Sequence, residues 1–155
     1  MKVLALGLVM SAALFAGSAY AQGDAAAGAT VFKKCASCHA VGEGAKNKVG
    51  PELNELFGRV AGSLPDFKYS KPMIEAGAGG LVWTGATLHE FLTKPKDFVK
   101  GTKMSFPGLK NQADVDNLVA YLQTFSATPA DAAAAPAADP AAAPAADPAA
   151  APAAP

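Results

Sequence analysis

Cys35-Ala36-Ser37-Cys38-His39 holds the only two cysteines of this 155-residue chain and one of its two histidines. Two thiols three residues apart on a helical turn face the same side, and the next residue brings an imidazole to that side. The cluster suits a flat ligand. Each thiol can add across a vinyl group of a haem while the imidazole coordinates the iron from below, and C-x-x-C-H is the known attachment motif of c-type haem. Two other chemistries share the cysteine pair. A redox dithiol usually sits in a thioredoxin-like βαβ context, and no alternation of strands and helices runs along this chain. A closed zinc site needs four ligands, and Cys35, Cys38, His39 and His89 are spaced in no common zinc pattern.

The first 21 residues bear on the compartment. Lys2 precedes an apolar run from Val3 to about Ala16, and Ala19-Tyr20-Ala21 is a small-x-small cleavage site. This reads as a secretory signal removed after Ala21. The apolar run is short for a membrane span, which needs about 20 residues. The expected location is the periplasm, without stable membrane insertion. In an oxidising compartment the two cysteines would ordinarily pair, and thioether bonds to a haem remove that option.

Of 13 basic residues Lys2 leaves with the signal, giving 12. Of 13 acidic residues Asp131, Asp139 and Asp147 fall in the tail, so residues 22–125 carry 12 positive against 10 negative charges. So small an excess points to no nucleic-acid partner. The 51% hydrophobic content is inflated by residues 127–155, where 18 of 29 are Ala. That stretch repeats Ala-Ala-Ala-Pro-Ala-Ala-Asp-Pro at 133–140 and 141–148. Proline at every fourth position removes helical hydrogen bonds and stiffens the chain toward polyproline II. The reading is a signal peptide at 1–21, one domain at 22–126 and an Ala/Pro-rich disordered tail at 127–155.

The elements that must position the cluster are helical. Gly28, Val31, Phe32 and Cys35 recur at helical spacing, which predicts a helix from Asp24 to about Cys38. Gly28 lies on its buried face, either tolerated or allowing a second helix to approach closely. Leu53, Leu56 and Phe57 predict one or two helical turns ending at Gly58. Ser70 is a candidate N-cap with Pro72 in the first turn of a short helix to about Gly77. Thr87 to Glu90 fits a capping box that opens a helix through Thr93, which Pro95 stops. Gly101 to Gly108 is a loop containing Met104. Val115, Leu118, Val119 and Leu122 then give the strongest amphipathic helix, from about Gln112 to Phe125. The domain reads as all-α, with its first and last helices the longest.

The motif near the start, Gly50-Pro51 after it, Gly101-Thr102-Lys103-Met104 before the last helix and Leu118-Val119-Ala120-Tyr121-Leu122 within it resemble class I cytochromes c over residues 23–125. The resemblance is to soluble bacterial periplasmic members related to mitochondrial cytochrome c. It implies first and last helices packed crosswise, with shorter helices and loops around one haem, and Gly28 with Val31 or Phe32 meeting Leu118 and Tyr121. It implies one covalent haem c on Cys35 and Cys38. His39 matches the proximal metal ligand, the Pro51 carbonyl the acceptor of its other ring N–H, and Met104 the distal ligand. Arg59, Tyr69 and Trp83 match positions near the haem propionates; the other mature methionine, Met73, matches packing. Two departures stand out: Tyr69 and Trp83 are 14 residues apart, and Phe91 replaces a tyrosine whose hydroxyl approaches the methionine sulfur in many members.

Function follows as an expectation. An iron held by one imidazole and one thioether changes oxidation state without changing ligands and leaves no position for substrate, so a monomeric electron carrier is expected and not an enzyme. The alternative is a haem enzyme or gas sensor with an open or labile sixth position. Lys33, Lys34, Lys94, Lys96, Lys100, Lys103 and Lys110 flank the motif and the Met104 loop, and would steer the protein toward redox partners with acidic docking surfaces. A quinol-oxidising complex, an oxidase, a photosynthetic reaction centre or a dehydrogenase would all suit, in a respiratory or photosynthetic chain.

Overall fold

Five helices and the loops between them build the domain in the computed structural model, which describes residues 23–130. The expected export signal and the tail from residue 131 lie outside the described residues. In order, the helices are α1 (Ala25–Phe32), α2 (Lys71–Ala78), α3 (Gly85–Thr93), α4 (Pro95–Phe98) and α5 (Gln112–Gln123).

Asp24 opens α1, its carboxylate accepting from the N–H groups of Ala26 and Ala27 at 2.7 and 2.9 Å. The helix ends at Phe32 and not near Cys38, so it is one of the shorter elements, against the sequence expectation. The backbone pattern shows why. Lys33, Lys34 and Cys35 donate to the carbonyls of Thr30, Val31 and Phe32, only three residues back, and the ladder tightens into consecutive turns. The cysteines therefore sit on turns after the helix.

Asn111 caps α5, its side-chain oxygen accepting from the N–H of Ala113 at 3.0 Å. The helix buries Val115, Leu118 and Leu122 as its period predicts. α1 and α5 pack against each other, and Gly28 makes the approach possible: a Cβ there would strike the carbonyl of Asn117 and lie 2.7 Å from the Cβ of Tyr121. Beside it Phe32 and Tyr121 pack with ring centroids 5.4 Å apart. The Asp24 N–H also donates to the Asn117 side-chain oxygen at 2.7 Å, tying the start of α1 to α5.

Of the remaining helices, α2 follows the sequence reading and α3 departs from it. Ser70 does cap α2, accepting from the Met73 N–H at 3.4 Å. α3 starts two residues before Thr87 because its cap is Thr84. Thr84 accepts from the Thr87 N–H at 3.2 Å, while the Thr87 hydroxyl oxygen accepts from the Thr84 N–H at 2.8 Å. Thr87 is thus the closing residue of the box and not its opening one.

No helix forms at Leu53–Gly58. Glu55 adopts φ 48° and Gly58 φ 80°, both left-handed, and the Glu55 N–H donates to the Phe125 carbonyl at 2.9 Å. The segment bonds to the chain after α5 instead of to itself. An isolated antiparallel bridge, Val60 to Val82, follows it, with the Gly58 N–H donating to the Trp83 carbonyl and the Trp83 N–H to the Arg59 carbonyl.

Residues 127–130, which composition assigns to the tail, are held against the domain. The Ala127 N–H donates to the Glu55 carboxylate at 2.9 Å and Gln123 Nε2 to the Thr128 carbonyl at 2.8 Å. The Gly85 N–H, at the start of α3, donates to the Ala130 carbonyl at 2.7 Å. The first four residues of the stretch that composition assigns to the tail thus belong to the folded domain. One core joins the helices to the loops, running from Val31 and Phe32 through Leu56, Phe57, Met73, Trp83, Leu88 and Phe91 to Val115, Leu118 and Leu122, with Phe98 of α4 packed against it.

Candidate haem site

The turns after α1 present both thiols and His39. The Cys35 carbonyl accepts from the N–H groups of Cys38 and His39 at 3.0 and 2.9 Å, which winds the five residues into one compact unit. The loop that follows folds back on them: the Gly50 N–H donates to the Cys38 carbonyl and Lys48 Nζ to the Ala36 carbonyl, each at 2.9 Å. A Cβ on Gly50 would collide with the His39 ring, so only glycine lets the loop lie flat against the imidazole.

That loop fixes the ring. His39 Nδ1 lies 2.7 Å from the Pro51 carbonyl oxygen, and since a carbonyl can only accept, Nδ1 carries the hydrogen. Nε2 is left with its lone pair. Burial lowers the pKa of His39; the Pro51 carbonyl opposes this and nearby Lys48 adds to it. A neutral imidazole with a free Nε2 is the form that binds a metal. Burial raises the pKa of Cys35, with the positive charge of Lys34 partly offsetting it.

These groups open onto a cavity of about 600 Å³ with a mostly apolar lining. All eight residues singled out from the sequence line it: Cys35, Cys38, His39, Pro51, Arg59, Tyr69, Trp83 and Met104. Met104 reaches it from the loop before α5, where its N–H donates to the Thr102 hydroxyl at 3.3 Å. Phe32, Leu56, Leu88, Phe91, Leu92, Leu118 and Leu122 supply apolar walls, and Met73, read as packing, is buried among them. Phe91 packs between Trp83 and Phe98 at centroid separations of 5.1 and 6.1 Å. His89 stays outside. It lies on the outer side of α3, half-buried, with Nε2 3.6 Å from Asp116 of α5.

Sequence reasoning missed two features of the wall. Glu52 stands behind Arg59, with Oε1 3.4 Å from Nη1, both side chains largely buried. Lys68 joins Lys34 and Lys103 on the cavity lining, beside Val49, which is 80% exposed. A carboxylate seven positions before an arginine in a loop carries no periodic signal, and Lys68 reaches the rim only through the fold.

The donor set fits a covalently held haem: two thiols on consecutive turns, an imidazole with one nitrogen committed and one free, and apolar walls enclosing a cofactor-sized space. Fold and site together define a protein built around one haem c bound through Cys35 and Cys38. Comparison with known proteins agrees. Residues 25–126 match the family model described as Cytochrome c. Cytochrome c2 of Afifella marina is 63% identical over 100 residues, covering 64% of this chain and 81% of that one. Cytochrome c-550 of Ancylobacter novellus is 54% identical over 102 residues, covering 66% and 95%. The solved structure of cytochrome c2 from Rhodospirillum centenum superposes with a TM-score of 0.65 at 42% identity, covering 67% of this chain and 99% of that one. The chain belongs to the cytochrome c family, among its class I bacterial members.

Proposed function

We propose that this protein is a one-electron carrier whose haem c would be held by His39 and Met104. When bound, the haem supplies a reversible one-electron couple. His39 and Met104 are fit to hold it in both oxidation states: the Pro51 carbonyl fixes the imidazole plane and raises its basicity, and the thioether is a soft ligand that favours the reduced form. The apolar walls disfavour the extra charge of the oxidised form. With His39 and Met104 both holding the iron, no place would remain for a substrate, so the protein would be a carrier and not an enzyme.

The observation that carries this reading is the convergence of His39, its Nδ1 committed to Pro51, and Met104, 65 positions later, on one cavity with both thiols. The test is Met104→Ala in the haem-loaded protein. Loss of the low-spin spectrum and a lower potential are expected, since the iron loses its thioether. An unchanged spectrum and potential would end the assignment and favour an open-site enzyme or sensor.

Redox proteins with acidic docking surfaces are the proposed partners. All seven lysines named from the sequence are exposed, and Lys34 and Lys103, with Lys68, line the cavity. Lys34 also lies 3.4 Å from Asp114, an exposed pair worth little to stability that leaves its charge partly offset. The proposed location is the periplasm, reached through a signal cleaved after Ala21, where the protein acts as a monomer. Among the described residues no helix is long and apolar enough to cross a membrane. The proposed domain runs from residue 22 to the end of the contacts around Ala130, with the Ala/Pro-rich remainder as a disordered tail.

A further inference from the structure

Glu52 and Arg59 form a largely buried ion pair, and Arg59 alone of the two lines the cavity. Arg59 Nη1 donates to Glu52 Oε1 at 3.4 Å and to the Asn54 carbonyl at 3.3 Å, and Nη2 donates to the Glu52 carbonyl at 3.3 Å. A guanidinium has five N–H donors. Among the described residues three are therefore taken, which leaves Nε–H and one hydrogen on Nη2 for whatever the cavity holds. Glu52 is itself held from three directions. Its other oxygen, Oε2, accepts from the Asn54 N–H at 2.8 Å, and its own N–H donates to the Asn47 side chain at 2.9 Å. Asn54 is locked in turn, exchanging two hydrogen bonds with the backbone of Gly42 at 2.8 and 2.9 Å.

The consequence is electrostatic. Arg59 brings a cation to the wall of a largely apolar cavity, where a positive charge favours the reduced, less positive form of the haem. Glu52 offsets that charge from behind and fixes which of the five donors remain free. We propose that Glu52 is a positioning residue that sets the haem's redox balance by holding Arg59 back against the loop, so that its loss frees the guanidinium to move toward the cavity. The proposal rests on the haem-carrier reading, and its test keeps the two separate.

The experiment is redox titration of the full-length, haem-loaded protein carrying Glu52→Gln, Glu52→Asp and Arg59→Gln, singly and with Glu52→Gln and Arg59→Gln combined. Glu52→Gln keeps an oxygen for the Asn54 N–H but uncovers Arg59. The ferrous-to-ferric ratio at fixed applied potential is expected to rise roughly three- to tenfold, the scale of one charge acting over on the order of 10 Å at an intermediate dielectric. In the Arg59→Gln background the same change has no cation to release and only Glu52's own field is lost, so the rise is expected to be smaller by at least about twofold. Glu52→Asp keeps the charge and withdraws it from Nη1, so a rise of at least about twofold there reports geometry and not charge.

Equal rises in both backgrounds would overturn the proposal, since Glu52 would then act by its own field alone. No rise in Glu52→Gln would also overturn it. If Glu52→Gln does not fold, Glu52→Asp carries the test, and an unchanged ratio in that variant sinks the idea. Failure of the carrier reading is seen elsewhere, in a wild-type spectrum that lacks two protein axial ligands before any variant is compared.

Discussion

Gly28→Ala reverses the usual sign of a glycine-to-alanine change in a helix. On an exposed helical face the substitution stabilises by about 1 kcal/mol, because glycine gives up more backbone freedom on folding. At Gly28 the new methyl meets the backbone carbonyl of Asn117 and the Cβ of Tyr121, neither of which can rotate away. Overpacking costs about 1–3 kcal/mol where side chains can adjust, and a clash with backbone belongs at the upper end, about 3 kcal/mol. Moving α1 off α5 also loosens the Phe32–Tyr121 ring pair, a contact worth about 0.5–1.5 kcal/mol. Subtracting the propensity gain leaves a loss of about 3 kcal/mol, a large part of the 5–15 kcal/mol that holds an ordinary domain together. Urea unfolding of the haem-loaded protein, followed by far-ultraviolet circular dichroism, measures it. Ala27→Gly on the exposed side of α1 is the control and should lose about 1 kcal/mol. A Gly28→Ala protein as stable as wild type with an unchanged m-value would refute the close-packing argument.

Truncation tests where the domain ends. A stop after Ser126 removes acceptors from the Gly85 N–H and Gln123 Nε2 and a donor from Glu55, at about 1 kcal/mol each, and recovers about 2 kcal/mol of ordering entropy from the four residues, roughly half the usual 1 kcal/mol each because a chain end is only partly ordered. A net loss of about 1 kcal/mol is expected, against none for a stop after Ala130, and equal urea midpoints for the two would place the boundary at 126. Electron-transfer rates with a strongly acidic partner should fall as salt rises from about 0.01 to 0.15 M, where the screening length shrinks from roughly 30 to 8 Å. Rates independent of salt would remove the lysines from docking.

Much of the fold was legible because its signals are local. The apolar spacing of Val115, Leu118 and Leu122 marks α5, and Ser70 with Pro72 marks the start of α2. The errors come from competition that local signals do not carry. The apolar period continues past Phe32 and so predicts α1 over Cys35 and Cys38, while the hydrogen bonds of Lys33, Lys34 and Cys35 shorten to three-residue steps. Leu53 to Phe57 has helical spacing, yet its polar backbone groups find partners after α5 and its Glu55 turns left-handed. Thr84 and Thr87 close a capping box with two hydroxyls, a pairing that a search for Thr followed by Glu passes over.

The site divides along the same line. That Cys35, Cys38, His39 and Met104 meet at one cavity was legible because the motif and the Met104 loop each sit in one short stretch. Half-buried charge is not legible in this way. Arg59 alone in sequence is either a solvated cation or a partner for a bound anion, and its state depends on whether the loop from Gly42 to Asn54 closes over it. That loop closes through Asn47, Glu52 and Asn54, polar residues that composition assigns to solvent. Their hydrogen bonds bring Glu52 to Arg59 with only 18% and 15% of the two side chains exposed. A carboxylate so placed is shielded too little by water to be ignored by the cation, and is held too firmly to exchange it for another. Under the proposed role of Glu52, substitution of Asn47 or Asn54, whose hydrogen bonds hold Glu52 in place, is expected to shift the redox titration in the same direction as Glu52→Gln.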